Sequence, residues 1–465
     1  MSSELSKLLS RIVDATREWE ASFGEFGPHP DTGVDVERLG AVVDDLLTRL
    51  GASTPFFHPR YAGQMTRAPH PAAVVGYLAG MLVNPNNHDF AGGPATTQME
   101  HEVVAELAAM FALPAHIGHL TSSGTIANLE ALFVARQTHP GRGVLFSADA
   151  HFTHERMCAL LEMPAHRVPT DARGAMDLDA AERLVRSGAV GTIVLTAGTT
   201  GVGAIDPIVD ALTLKQQYGV RLHVDAAYGG YFALLTSDDE LELEWDPAPW
   251  RAIRSCDSVV VDPHKHGLQP YGCGAVLFAD PAVAQYYHHD SPYTRMFSGA
   301  PGHLGEISLE CSRSGAAAAA LWTTLQMVPL RRDGLGTLLA STRRAALAFA
   351  RLVAQSSELT LYQRPELDIV TYFPSAPRTM SGVDAASGQM LSDGMFAPRS
   401  EAIFLSTLSV EAAGFRRRGH RLAADAPRGR ILRSALMKPE QELCAAELVA
   451  QIAALAPVEQ AAHRR

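Results

Sequence analysis

Residues 259–272 read VVVDPHKHGLQPYG: an apolar run from Val259 to Val261, a stop at Asp262 and Pro263, then His264, Lys265, His266 and Gly267. Lysine is seldom buried. One placed just past a buried strand is either part of a surface turn or an amine held for chemistry. A free lysine, with a pKa of about 10.4, is protonated at neutral pH, so a reactive one must be desolvated or set near positive charge. Three other stretches carry residues that would complement it. In LTSSGTIANLEALFVAR (120–136), Ser122, Ser123 and Gly124 precede a strong helical period. Hydroxyls and free N–H groups at a helix N-terminus suit an anion such as phosphate, and Ser123 also reads as a plain N-cap. The stretch lacks the lysine of a P-loop, which argues against a nucleoside triphosphate. In HVDAAYGG (223–230), Asp225 ends an apolar strand and could bind a metal, cap a helix or pair with a cationic ring nitrogen. In SADAHFTHERM (147–157), His151 follows another strand.

These four stretches, taken together, supply what pyridoxal phosphate needs. Its phosphate must be held, its pyridine nitrogen needs a carboxylate to stay protonated, its ring can stack on an imidazole, and its aldehyde bonds to a lysine. A fold must bring them together. From about 70 to 325, short apolar runs alternate with helical periods. Residues 143–149, 191–199, 220–227, 258–263 and 274–280 read as buried strands, with helices at 176–187 and 207–219. That alternation predicts a mostly parallel sheet covered on both faces, with ligands beyond the C-terminal strand ends. Lys265 follows Asp225 by one strand–helix unit, so both fall on the same sheet edge as Ser122–Gly124 and His151. Residues 1–69 read as a helical segment ending in a proline- and histidine-rich stretch, 70–328 as the large domain, and 329–465 as a smaller α+β unit. The alanine-rich 315–325 reads as a tightly packed helix.

Composition narrows the function classes. The chain has 465 residues, 47% hydrophobic and 19% charged, with net charge −11. That acidic balance argues against nucleic acid or an anionic membrane as partner. No run of 18 apolar residues predicts a transmembrane span, and the charged amphipathic N-terminus lacks the apolar core of a signal peptide. Five scattered cysteines without a CxxC pair suggest a reducing, cytoplasmic setting. The nineteen histidines form no HExxH-like set, so a metal hydrolase is disfavoured.

Several stretches, in order over roughly 60–330, resemble the group II pyridoxal-phosphate-dependent amino acid decarboxylases. They are NPNNHDFAGGPATTQMEHEVV (84–104), TSSGTIANLEALFVAR (121–136), AHFT (150–153), AGTTGVGAIDPI (197–208), HVDAAYGGYF (223–232), VDPHKHGLQPYGCG (261–274) and CSRSGAAAAALW (311–322). HPRYAGQM, GYLAGMLVNPNN and DPHKxGxxPY look most like the bacterial tyrosine decarboxylase branch. The resemblance implies an aspartate aminotransferase-like α/β fold, with a mostly parallel seven-stranded sheet in the large domain and a smaller α+β C-terminal domain. It implies that Lys265 carries the cofactor as a Schiff base, Asp225 pairs with the pyridinium, His151 stacks on one ring face and Ala227 on the other. Ser122, Ser123, Gly124 and His264 would hold the phosphate, with Thr200 near the ring substituents. It implies a homodimer with the site at the interface and a loop, about 286–305, closing over it. Tyr293 and Tyr271 are both candidates for the group that protonates the substrate carbon. Arg313 either meets a substrate carboxylate or forms a structural ion pair. Tyr61, His88 and Phe90 are candidate pocket residues. This sequence departs from the family pattern at His266, Cys311 and in SSG where SGG is frequent.

The expected reaction is α-decarboxylation of an L-amino acid, aromatic by the subfamily resemblance, to the amine and CO2. The alternatives are an aspartate or glutamate substrate, oxidative deamination to an aldehyde, transamination or carbon–carbon lysis on the same cofactor, and a non-catalytic scaffold. Intact Lys265, Asp225 and His151 argue against the last.

Overall fold

The computed structural model describes residues 3–24, 26–27, 29–287 and 304–457. A seven-stranded sheet forms its centre, from β1 (Ile117–Thr121), β2 (Gly143–Ser147), β3 (Ala165–Val168), β4 (Val190–Thr196), β5 (Arg221–Asp225), β6 (Ser258–Val261) and β7 (Gly274–Phe278), in the order β1-β7-β6-β5-β4-β2-β3. The pairs β2–β3, β2–β4, β4–β5 and β5–β6 are parallel, while β7 runs antiparallel to β1 and β6. Every residue of β4 and β6 is buried, which is why neither shows the apolar–polar alternation of a half-exposed strand. The five expected strands and the two expected helices (Leu178–Arg186 and Ile208–Tyr218) are present. The first of these helices is capped by the Asp177 side chain, and the second stops at Gly219, left-handed at φ 66°.

The alanine-rich helix, Ala316–Met327, lies against the helix Pro71–Val83. A Cβ at Gly76 would come 2.6 Å from the Ala319 carbonyl oxygen, and one at Gly80 2.7 Å from the Ala316 Cα. Small residues on both sides thus let the two backbones approach.

Beyond it the helix Leu335–Gln355 leads into a second, antiparallel sheet of β8 (Leu359–Gln363), β9 (Ile369–Pro374), β10 (Ser406–Glu411) and β11 (Arg428–Ala435), in the order β10-β11-β9-β8. The segment 59–67 is fastened to this sheet. Arg433 Nη1 donates to Gly63 O at 3.1 Å, Ala435 N to Ala62 O at 2.9 Å, and the buried Lys438 Nζ to Tyr61 O at 2.8 Å. By contrast, the helix Val36–Leu50 buries no residue, and Val36, Leu39, Val42, Val43, Leu46, Leu47 and Leu50 are exposed.

Candidate active site

The parallel strands end at a pocket of about 180 Å³. Most wall residues enter at or just past a strand end: Ser123, Gly124 and Thr125 after β1, His151 and Thr153 after β2, Thr196, Gly198 and Thr200 at and after the end of β4, Asp225, Ala227 and Tyr228 at the end of β5, and Asp262, His264 and Lys265 after β6; Asn128 joins them from the helix Gly124–Thr138.

Asp225 is buried at the base. Its Oδ2 lies 2.9 Å from His154 Nε2, and its Oδ1 accepts from the Ala227 N–H at 3.2 Å. Burial disfavours the charged carboxylate, but the hydrogen bond and charge of His154, then the charge of Lys265, outweigh it and hold the group well below the usual carboxylate range. The result is a buried anion suited to a cationic ring nitrogen. Lys265 Nζ is 2.9 Å from Asp262 Oδ2. Burial alone would lower its pKa; the charge and hydrogen bond of Asp262, followed by Asp225, raise it instead. Lys265 therefore stands in this structure as an ammonium paired with Asp262. A Cβ on Gly124 would come within 2.5 Å of that carboxylate, so the helix start reaches the lysine only because position 124 has no side chain.

Ser123 caps the helix Gly124–Thr138, its Oγ accepting from Ile126 N at 3.3 Å. The first helical turn, with the Thr125 hydroxyl, faces the pocket at the positive end of the helix dipole. His151 is half-buried, and burial pushes its pKa down.

Among the described residues, four buried wall atoms have no hydrogen-bond partner: Thr153 Oγ1, Thr196 Oγ1, Asp262 Oδ1 and His264 Nδ1. Folded proteins rarely leave such groups unpaired, and their convergence on one pocket marks a place built for a polar ligand. Pyridoxal phosphate fits the donor set: a helix N-terminus and His264 for the phosphate, Asp225 for the ring nitrogen, and Lys265 for the aldehyde.

Of the residues singled out in the sequence, Ser123, Gly124, His151, Thr200, Asp225, Ala227, His264 and Lys265 share this wall. Ser122 stands outside it, its N–H donating to Glu310 Oε2 at 2.9 Å. Tyr271 is mostly exposed; its ring lies 4.8 Å from that of His264, and its hydroxyl bonds to Thr66. Tyr293 and most of the 286–305 loop lie outside the described residues. Arg313 lies outside this wall; its Nη1 pairs with Glu100 Oε1 at 3.0 Å and also donates to the Leu120 carbonyl, the ion pair that is one of its two readings. Tyr61, His88 and Phe90 are likewise absent from the wall of this single chain.

Two important residues escaped the sequence reading. His154 sits one helical turn after His151 in the same stretch, and that spacing was the available signal. Asp262 lies inside the quoted lysine motif, where it read only as the strand's stop.

The family model described as the pyridoxal-dependent decarboxylase conserved domain matches residues 36–373. The chain is 28% identical over 424 residues to an L-tyrosine decarboxylase of Enterococcus faecium, covering 70% of this chain and 69% of that one. It is 33% identical over 323 residues to an L-2,4-diaminobutyrate decarboxylase of Rhizobium meliloti, covering 65% of this chain and 63% of that one. A crystal structure of mouse CSAD superposes with a TM-score of 0.78 at 20% identity, covering 98% of this chain and 92% of that one.

Proposed function

The chain belongs to the pyridoxal-dependent decarboxylase family, amino-acid carboxy-lyases that use pyridoxal 5'-phosphate, and from that premise we propose that its substrate is an L-aromatic amino acid, L-tyrosine foremost, released as the amine and CO2. One observation carries the reading: among the described residues the pocket wall holds no arginine. An acidic side chain would want a second cation there. A carboxylate about to leave as CO2 does not, because it sheds its charge on the way to the transition state. A salt bridge to it would stabilise the ground state more than the transition state. The similarity to L-tyrosine decarboxylase supports the aromatic choice.

The bound cofactor supplies an electron sink for the pair left at Cα as CO2 departs. The protein's part is to hold and orient. Lys265, paired with Asp262 in this structure, would be the residue that holds the cofactor's aldehyde. Asp225, fixed by His154, keeps the ring nitrogen protonated. The first turn of the helix Gly124–Thr138 and His264 fix the phosphate. His151, its pKa lowered by burial, would stack on the ring and could carry a proton at its imidazole, and Tyr293 in the 286–305 loop would be the donor to Cα. We further propose a homodimer, supported by the exposed apolar face of the helix Val36–Leu50.

The test is to record the visible absorption of purified protein and of Lys265→Ala, then to offer tyrosine, tryptophan, aspartate, glutamate and 2,4-diaminobutyrate while following CO2 and amine by mass spectrometry. The expected result is a visible band absent from the variant, with CO2 and tyramine formed fastest from tyrosine. Faster turnover of an acidic or diamino substrate would overturn the substrate. A colourless wild type that takes up no added cofactor would overturn the roles given to the wall.

A further inference from the structure

Behind Lys265 lies a second set of buried polar groups that the steps above do not use. Asp368, wholly buried, comes from the smaller sheet, just before β9. Its Oδ1 accepts from the Tyr228 hydroxyl at 2.5 Å, and its Oδ2 lies 3.2 Å from His266 Nε2. The His266 ring, itself 1% exposed, packs 4.8 Å from the Tyr228 ring and 5.2 Å from the Phe232 ring. His266 is the residue after Lys265, and Tyr228 belongs to the pocket wall. One carboxylate from the C-terminal sheet thus grips both the turn that carries the lysine and the loop that follows Asp225.

We propose that His266, Asp368 and Tyr228 form a positioning triad that seats Lys265 and the β5 loop against the C-terminal sheet, and so sets how the cofactor is held. This rests on Lys265 being the cofactor's attachment point.

The energetics favour a role beyond packing. A buried charge costs several kcal/mol before its partners repay it, and well-packed apolar residues often serve stability as well or better. Here the charge is compensated closely. Burial disfavours the Asp368 anion, yet the attraction of His266, whose Nε2 lies 3.2 Å away, and the hydrogen bond of Tyr228 hold it ionised. Arg343, Arg433 and Lys438, all buried, also feel it. Arg343 is itself bonded to the carbonyls of Leu243, Pro365 and Leu367. Arg433 Nε donates to the Gly201 carbonyl at 3.1 Å, next to Thr200 in the wall. The smaller sheet therefore holds three of the pocket's loops by polar contacts. Reacting groups tolerate little misplacement: an error of about 1 Å can cost about a hundredfold in rate.

The experiment compares the holoenzyme with His266→Phe, Asp368→Asn and Tyr228→Phe, the last deleting only one hydroxyl in case the others fail to fold. Asp239→Asn, which breaks the distant Arg332 ion pair, serves as a stability control. The readouts are the dissociation constant for pyridoxal phosphate and the visible circular dichroism per bound cofactor, which reports how the ring is seated. Weakening of at least tenfold and an altered dichroism per cofactor in the triad variants, with neither change in Asp239→Asn, are expected. Wild-type affinity and dichroism in Tyr228→Phe and in whichever other triad variant folds would overturn the proposal, even if the melting temperature falls. A wild type that binds no cofactor would instead overturn the premise about Lys265.

Discussion

Replacing His154 by Phe would test how the site keeps Asp225 charged. The His154 ring is fully buried and lies 5.9 Å from Phe146, so a phenyl ring suits the space and leaves little cavity. What is lost is the 2.9 Å hydrogen bond to Asp225. A hydrogen bond to a charged group contributes about 1.5–3 kcal/mol, so cofactor affinity or kcat/KM for the best substrate should fall roughly tenfold to one-hundred-and-fiftyfold at 1.4 kcal/mol per decade. The pH dependence has a definite sign. The folded pKa of Asp225 is depressed relative to its unfolded value of about 3.9, so its stabilisation is complete above that pH and fades as pH falls through the folded value. Removing His154 takes away the two largest influences holding the pKa down. The folded pKa then rises, and stability should begin to fall at higher pH than in the wild type. Acid unfolding followed by tryptophan fluorescence, alongside cofactor titration, measures both. An unchanged acid limb together with unchanged cofactor affinity would refute the account of Asp225.

Further outcomes follow from other residues. Lys438 is buried, and desolvation, then Arg67, hold its pKa at about 7 against an ordinary 10.5. Between those values the unfolded chain binds a proton that the folded chain lacks, so this residue makes stability rise with pH from about 7 to about 10.5, by up to about 5 kcal/mol. Lys438→Met should flatten that rise in urea-unfolding midpoints taken across the window, and a slope equal to wild type would contradict it. Tyr293→Phe should divert the product from amine towards aldehyde and ammonia if that loop tyrosine protonates Cα, which product analysis by mass spectrometry checks. Light scattering should give twice the 49.8 kDa chain mass, and Val43→Asp with Leu47→Asp should lower it to the single-chain value; a wild-type monomer would remove the dimer.

What the sequence made legible, and what it hid, follows from how far each signal travels along the chain. The inner strands were readable because strands covered on both faces become unbroken apolar runs. β3, at the sheet edge with exposed and half-buried residues, carries no such run. β1 includes the buried His119, which looks polar in a string of letters but contacts Arg313 Nη1 at 3.1 Å. Lys265, Asp225, His151 and the helix start at Ser123 were legible because each follows a strand closely. The partner of Arg313 was not, because Glu100 lies more than two hundred positions away. Asp368 and Arg433 escaped for the same reason: only the packing of the second sheet on the first brings them to the site.

The fastening of segment 59–67 to β11 and Lys438 bears on the order in which the molecule can be made. Tyr61 and Lys438 are separated by 377 positions, and Gly63 and Arg433 by 370. Closing so wide a loop is possible only when the later residues exist, and such non-local pairing slows folding. On the ribosome the central sheet can assemble well before β11 emerges. During that interval the early segment has no dock, and the pocket's loops lack the grips of Asp368 and Arg433. A nascent chain should therefore gain a recognisable core long before it gains a finished site, and cofactor capture should come as a late event in its biogenesis.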